Sequence, residues 1–140
     1  MRISARNVLA GTVRNVTKGA VNAEVTIALE GGETVVAVIT NSSIDSLGLQ
    51  EGKPAAAIIK ASEVMIGVGM DAARISARNV LPGEIANIEE GAVNSEVVVR
   101  LAGGTSVVAS ITKQSVQALR LAQGVKVSAI VKASNVMVGV

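Results

Sequence analysis

Apolar and polar residues alternate over Val21 to Glu30: Val21, Ala23, Val25, Ile27 and Leu29 interleave with Asn22, Glu24, Thr26, Ala28 and Glu30. That period of two predicts a strand with one buried face. Gly31-Gly32 then supplies a tight hairpin turn. Thr34 to Thr40 predicts a second strand, apolar on both faces. Asn41 to Leu47 reads as a helical turn, with Ser42 and Asp45 spaced as cap and N3 partner. Glu51-Gly52 turns into a further strand, Ala55 to Lys60, and Val64 to Val68 supplies a strand that closes the unit. Ahead of these, Arg2 to Val16 predicts one long first strand bent near Gly11. Five short strands with one helical turn describe an all-β unit, the five-stranded OB-type barrel.

The unit is written twice. Shifting the chain by 72 residues aligns Arg2–Val68 with Arg74–Val140 without a gap, and 37 of 67 pairs are identical. The fold expected is therefore two tandem barrels, residues 1–69 and 70–140. The joint Gly67-Val68-Gly69-Met70-Asp71-Ala72-Ala73 is too short to act as a flexible tether. Much of what both halves keep is polar or glycine, which core packing does not require.

Composition removes whole classes of chemistry. The 140 residues contain no Cys, His, Trp, Tyr or Phe. Disulfides, thiolate metal sites, the usual neutral-pH general base and aromatic stacking platforms are all absent, so an enzyme is not expected. A formal net charge of only +2 argues against duplex nucleic acid as a partner. Hydrophobic residues make up 49% of the chain, which excludes disorder. Charged residues or Asn interrupt every apolar stretch short of a membrane span, and the start lacks the apolar core of a signal peptide; a cytoplasmic protein is expected. A core built from Val, Ile, Leu, Ala and Met alone is small for a unit of this size. With Val35–Ile39 and Ala55–Ile59 apolar on both faces, the barrels should be covered by neighbours, as in an obligate oligomer.

What remains for chemistry is a set of hydrogen-bond donors. Arg6 offers a planar fork, Lys60 a point charge, Ser4 and Ser62 hydroxyls and Asn7 an amide, which together suit an anion. Ser4-Ala5-Arg6-Asn7 and Lys60-Ala61-Ser62 recur as Ser76-Ala77-Arg78-Asn79 and Lys132-Ala133-Ser134. The Gly19-Ala20-Val21-Asn22 turn, repeated as Gly91-Ala92-Val93-Asn94, is a second candidate, because glycine frees successive N–H groups to converge. Plainer readings stand beside these. Arg6 could pair with Glu24 or another carboxylate, Lys60 could guard a strand edge, Gly19 could serve a turn, and the serines could satisfy local backbone. Retention of all three motifs in both halves favours the anion site.

The three motifs at matched spacing, twice over, resemble the molbindins, the Mop-type molybdenum-binding domains, in their tandem di-Mop form. The resemblance implies molybdate or tungstate as ligand and a role in cytoplasmic molybdenum storage. It implies two kinds of site. One lies at interfaces and uses Ser4, Ala5, Arg6, Asn7, Lys60, Ala61 and Ser62 with their second-half counterparts. The other lies near a threefold axis and uses Gly19 to Asn22 and Gly91 to Asn94. No membrane or nucleic acid takes part. The alternatives are a molybdate-responsive regulatory or assembly module and a pterin-type cofactor carrier; the latter lacks an aromatic to stack on. Single-domain relatives form hexamers, so the tandem chain should form a homotrimer. Light scattering is expected to give three times the 14.1 kDa chain mass, and a stable folded monomer would refute this.

Overall fold

The computed structural model describes residues 1–140. In the first half, β1 (Asn7–Lys18), β2 (Asn22–Leu29) and β3 (Thr34–Thr40) form an antiparallel meander, followed by helix α1 (Asn41–Leu47), β4 (Pro54–Ile59) and β5 (Met65–Gly67). The second half repeats this as β6 (Asn79–Glu90), β7 (Asn94–Leu101), β8 (Ser106–Thr112), α2 (Lys113–Ala118), β9 (Lys126–Val131) and β10 (Met137–Gly139). The architecture is all-β, two tandem five-stranded OB-type units, as the alternation in the sequence predicts.

The closing strand departs from expectation. Val64 to Val68 does not close its own unit: β5 pairs with β9 of the second half, Met65 opposite Ile130, and β10 pairs with β4 of the first, Met137 opposite Ile58. The sheets run β10-β4-β1-β2-β3 and β5-β9-β6-β7-β8. The short apolar run from Val64 to Val68 marks a strand, but both halves offer the same Ala-Ile edge at Ala57-Ile58 and Ala129-Ile130. The short joint and the three-residue 3₁₀ turns at Ala61–Glu63 and Ala133–Asn135 carry each closing strand across.

Two smaller expectations are corrected. The first strand begins at Asn7, and Arg2 to Arg6 lie outside it. Helix α1 is capped by Thr40, whose hydroxyl accepts from Ser43 N–H at 3.1 Å, one position before the helix and two before the expected Ser42. Thr112 repeats this at α2. Gly11 lets β1 approach β2 closely: a Cβ there would run into the Ala28 carbonyl oxygen, and one on Gly83 into that of Arg100. A register shift between Val13 and Asn15 adds a bulge.

The aliphatic core is continuous. One cluster of 27 buried residues runs from Leu9 to Val136 through both halves, so part of the cover expected from a neighbour comes from the chain itself. The 3₁₀ turn of each half lies against β8 or β3 of the other. Two buried amides lock this arrangement. Asn7, 1% exposed, donates to the Val108 carbonyl at 2.8 Å and accepts from its N–H at 2.7 Å. Asn79, 2% exposed, does the same with Val36, at 2.8 Å in each direction. Each side chain stands in for a ladder residue, satisfying backbone groups of the opposite half.

Asn79→Ala would remove the partner of both Val36 backbone groups, which are half-buried on the edge strand β3. Urea unfolding is expected to show a loss of about 1–2 kcal/mol. A gain is expected at Arg120, which closes α2 with φ 53° where α1 ends on Gly48 with φ 60°. Relieving that left-handed strain, Arg120→Gly should stabilise by about 1 kcal/mol in the same assay.

Candidate functional site

The ladder between β1 and β4 ends at Asn7 opposite Ile59. One residue further on, the two chains leave the sheet side by side as Arg6 and Lys60. Strand register therefore brings together two motifs more than fifty residues apart in sequence. An open cavity of about 340 Å³ is lined by Ile3, Ser4, Ala5, Arg6, Lys60, Ala61 and Ser62, with Met137 from the exchanged strand β10. The second half repeats it at about 420 Å³ with Ile75, Ser76, Ala77, Arg78, Lys132, Ala133 and Ser134, joined by Met65 and Val38 from the first half. Each cavity is thus built across the boundary between halves, and no carboxylate lines either.

The lining is rich in uncommitted donors. The N–H groups of Ala5, Arg6, Ala61 and Ser62 bond to no other backbone group, and neither do those of Ala77, Arg78, Ala133 and Ser134. The hydroxyls of Ser4, Ser62, Ser76 and Ser134 and the ammonium groups of Lys60 and Lys132 make no ion pair or side-chain hydrogen bond within the chain. Successive N–H groups at the start of each 3₁₀ turn, with hydroxyls and a cation beside them, form a concave surface suited to acceptor oxygens.

Arginine and asparagine are held differently. Arg6 Nη1 donates to both Glu96 carboxylate oxygens, at 2.5 and 2.7 Å, and Arg78 Nη1 donates to Glu24 at 2.5 Å. The plainer reading of Arg6 as an ion-pair partner is therefore realised, with the carboxylate supplied by the opposite half. Both members of each pair remain about half exposed, where such contacts contribute roughly 0–1 kcal/mol. Asn7 and Asn79 adjoin the cavities in sequence, but their amides are spent on the clasps to Val108 and Val36.

The Gly-Ala-Val-Asn turns stand at the other end of β1 and β6. Gly19 N–H donates to the Asn22 carbonyl at 2.7 Å, the Val21 carbonyl accepts from Asn41 N–H, and Gly91 and Lys113 repeat these bonds in the second half. All of these bonds stay within one half. The N–H groups of Ala20, Val21, Ala92 and Val93 bond to no other backbone group, and Val21 and Val93 are 71% and 74% exposed. The two turns differ in their surroundings. Lys18, paired with Asp45 at 2.7 Å, precedes the first; Glu89 and Glu90 precede the second and line a cavity with Gly91 and Asn94.

Met65, Met137, Ile3, Ile75 and Val38 are contacts that sequence reasoning did not single out. Met65/Met137 and Ile3/Ile75 are identical pairs at the 72-residue shift, so the signal was present. Strand exchange alone makes its meaning visible.

Two TOBE domains match the chain, over residues 3–66 and 75–138. The chain is 48% identical over 137 residues to the molybdenum-pterin-binding protein MopA of Rhodobacter capsulatus, covering 98% of this chain and 52% of that protein. It is 48% identical over 66 residues to molybdenum-pterin-binding protein 3 of Clostridium pasteurianum, 47% of this chain and 97% of that one. A solved structure of the cytoplasmic molybdate-binding protein ModG, in a form with molybdate bound, aligns at 48% identity with a TM-score of 0.96, over 100% of this chain and 99% of that one. The chain spans about half the length of MopA and of the ModE proteins of Herbaspirillum seropedicae and Azotobacter vinelandii. No helix is long and apolar enough to cross a membrane. With a domain match in each half and a full-length structural counterpart, the chain belongs to the TOBE-domain family, in its tandem di-Mop form.

Proposed function

We propose that this chain binds molybdate, and tungstate as its near-isostere, and holds it for molybdenum storage and homeostasis in the cytoplasm. The observation that carries this reading is the pair of cavities at the boundary between halves, lined by free N–H groups, hydroxyls, one lysine and one arginine, and by no acid. Molybdate is a tetrahedral dianion with four acceptor oxygens and no proton at neutral pH, so a lining rich in donors and free of carboxylates matches it. The full-length likeness to ModG, solved with molybdate bound, supports the same ligand. No carboxylate lines the cavities and the chain has no His or Cys, so nothing of the usual kind activates the serine hydroxyls, and binding rather than turnover is the activity proposed.

The interface sites are assigned to Ser4, Ala5, Arg6, Lys60, Ala61 and Ser62 and their counterparts Ser76, Ala77, Arg78, Lys132, Ala133 and Ser134. Asn7 and Asn79 serve as positioning residues that fix the first strand of each half against the other. The Gly19 to Asn22 and Gly91 to Asn94 turns supply further donors for the threefold-axis sites. A homotrimer fits this arrangement: each cavity is open and larger than one tetrahedral oxyanion needs, and the exposed valines of the turns are available for burial between chains. A ligand bound only by the assembled form would stabilise that form by mass action.

Relatives named ModE, one of them a transcriptional regulator of Yersinia pestis, match over essentially the whole chain while extending well beyond it. A sensing module within a longer regulator is therefore the second reading, with the same ligand.

Molybdate at about a hundred times its Kd should stabilise the protein by about 2.7 kcal/mol, seen as a raised Tm, while equimolar sulfate should give little shift. Replacing Arg6 and Arg78 by Ala removes one charge-assisted bond per site, worth about 1.5–3 kcal/mol, so calorimetry should show binding weakened about ten- to a hundredfold. Absence of any molybdate-dependent heat in the unaltered protein would reject the reading.

A further inference from the structure

Of the chain's acids, Glu24 and Glu96 are the only ones that the 72-residue shift carries onto each other; every other acid falls opposite a non-acidic residue or in the joint. Each holds the arginine of the other half: Glu96 takes Arg6 with both carboxylate oxygens, and Glu24 takes Arg78. The arginines line the acid-free cavities and the glutamates do not. Both contacts engage Nη1 alone, which leaves Nε and Nη2 free to donate to a ligand.

We propose that Glu24 and Glu96 are internal counter-anions that set the affinity of the oxyanion cavity in the opposite half. This rests on the oxyanion reading above. Each carboxylate keeps the guanidinium in place and offsets its charge while the cavity is unloaded. A bound dianion then competes for the same positive charge, and each loading event weakens one ion pair between halves. Because the pairs are about half exposed and therefore screened, the effect is a tuning of affinity rather than a switch. The two cavities are not tuned alike. Glu96 sits directly opposite Glu89 across β6 and β7, on the same face, whereas Glu24 faces Thr17. The Arg6 cavity therefore carries the greater opposing charge and should be the weaker of the two.

The test is a calorimetric titration of the full chain with sodium molybdate, comparing the unaltered protein with Glu24→Gln, Glu96→Gln and the double variant. Glutamine keeps the length and one acceptor for Nη1 while removing the charge. The double variant is expected to bind about two- to fivefold more tightly, since surface charge interactions in screened positions are small but real. Glu96→Gln alone should tighten only the cavities built on Arg6. Glu96→Asp, which keeps the charge, should show no tightening. A merely structural role would lower the Tm of ligand-free and molybdate-loaded protein alike; the counter-anion role lowers the ligand-free Tm and enlarges the molybdate-induced rise. Unchanged or weaker binding in the glutamine variants would overturn the proposal. Should the double variant not fold, the two single variants decide it by the same criterion. Failure of the unaltered protein to bind molybdate at all would instead refute the oxyanion reading.

Discussion

Each five-stranded sheet is completed by a strand from the other half, and the rest of the structure follows from that exchange. Once Met65–Gly67 lies on β9 and Met137–Gly139 on β4, the 3₁₀ turns before them lie against β8 and β3 of the opposite half. The amides of Asn7 and Asn79 then find backbone of the opposite half within reach, and Arg6 and Arg78 meet carboxylates there. Polar contacts of this kind contribute modestly one by one. Their value lies in direction, because hydrogen bonds are directional and hydrophobic burial is not. The buried amides supply that direction, since displacing either half would leave two backbone groups unpaired.

The cavities show the same logic. Their donors are free because strand geometry leaves them nothing to bond: Ser4 to Arg6 precede the ladder, and the 3₁₀ turn after β4 is too short to absorb its own first N–H groups. A dianion bound there, as proposed, would exchange hydration for several neutral dipoles and two cations. That arrangement would hold charge without the desolvation cost of assembling many full charges.

Most strands, both hairpins, the helical turns and the duplication were legible in the sequence, because alternation, paired glycines and a long identical shift are local or self-referential signals. The convergence of Ser-Ala-Arg with Lys-Ala-Ser was legible too, once β1 and β4 were taken as neighbours. The partner of β5 was not. Identical edges at Ala57-Ile58 and Ala129-Ile130 give the closing strand two equivalent docking places, and alternation carries no information about which is used. The clasp of Asn7 was hidden for a related reason: nothing in the sequence says that the opposite half places Val108 against its amide. The pairing of Arg6 with Glu96 rather than Glu24 is the same ambiguity seen in a charge.

Shared closing strands also bear on how the chain tolerates damage. The connector around Gly69 is exposed and carries no sheet pairing of its own, so it is the natural place for a protease to cut. Severing it would leave two fragments, each still contributing a strand to the other's sheet and threaded through a common aliphatic interior. They would remain interlocked, and both cavities would keep their full complement of walls.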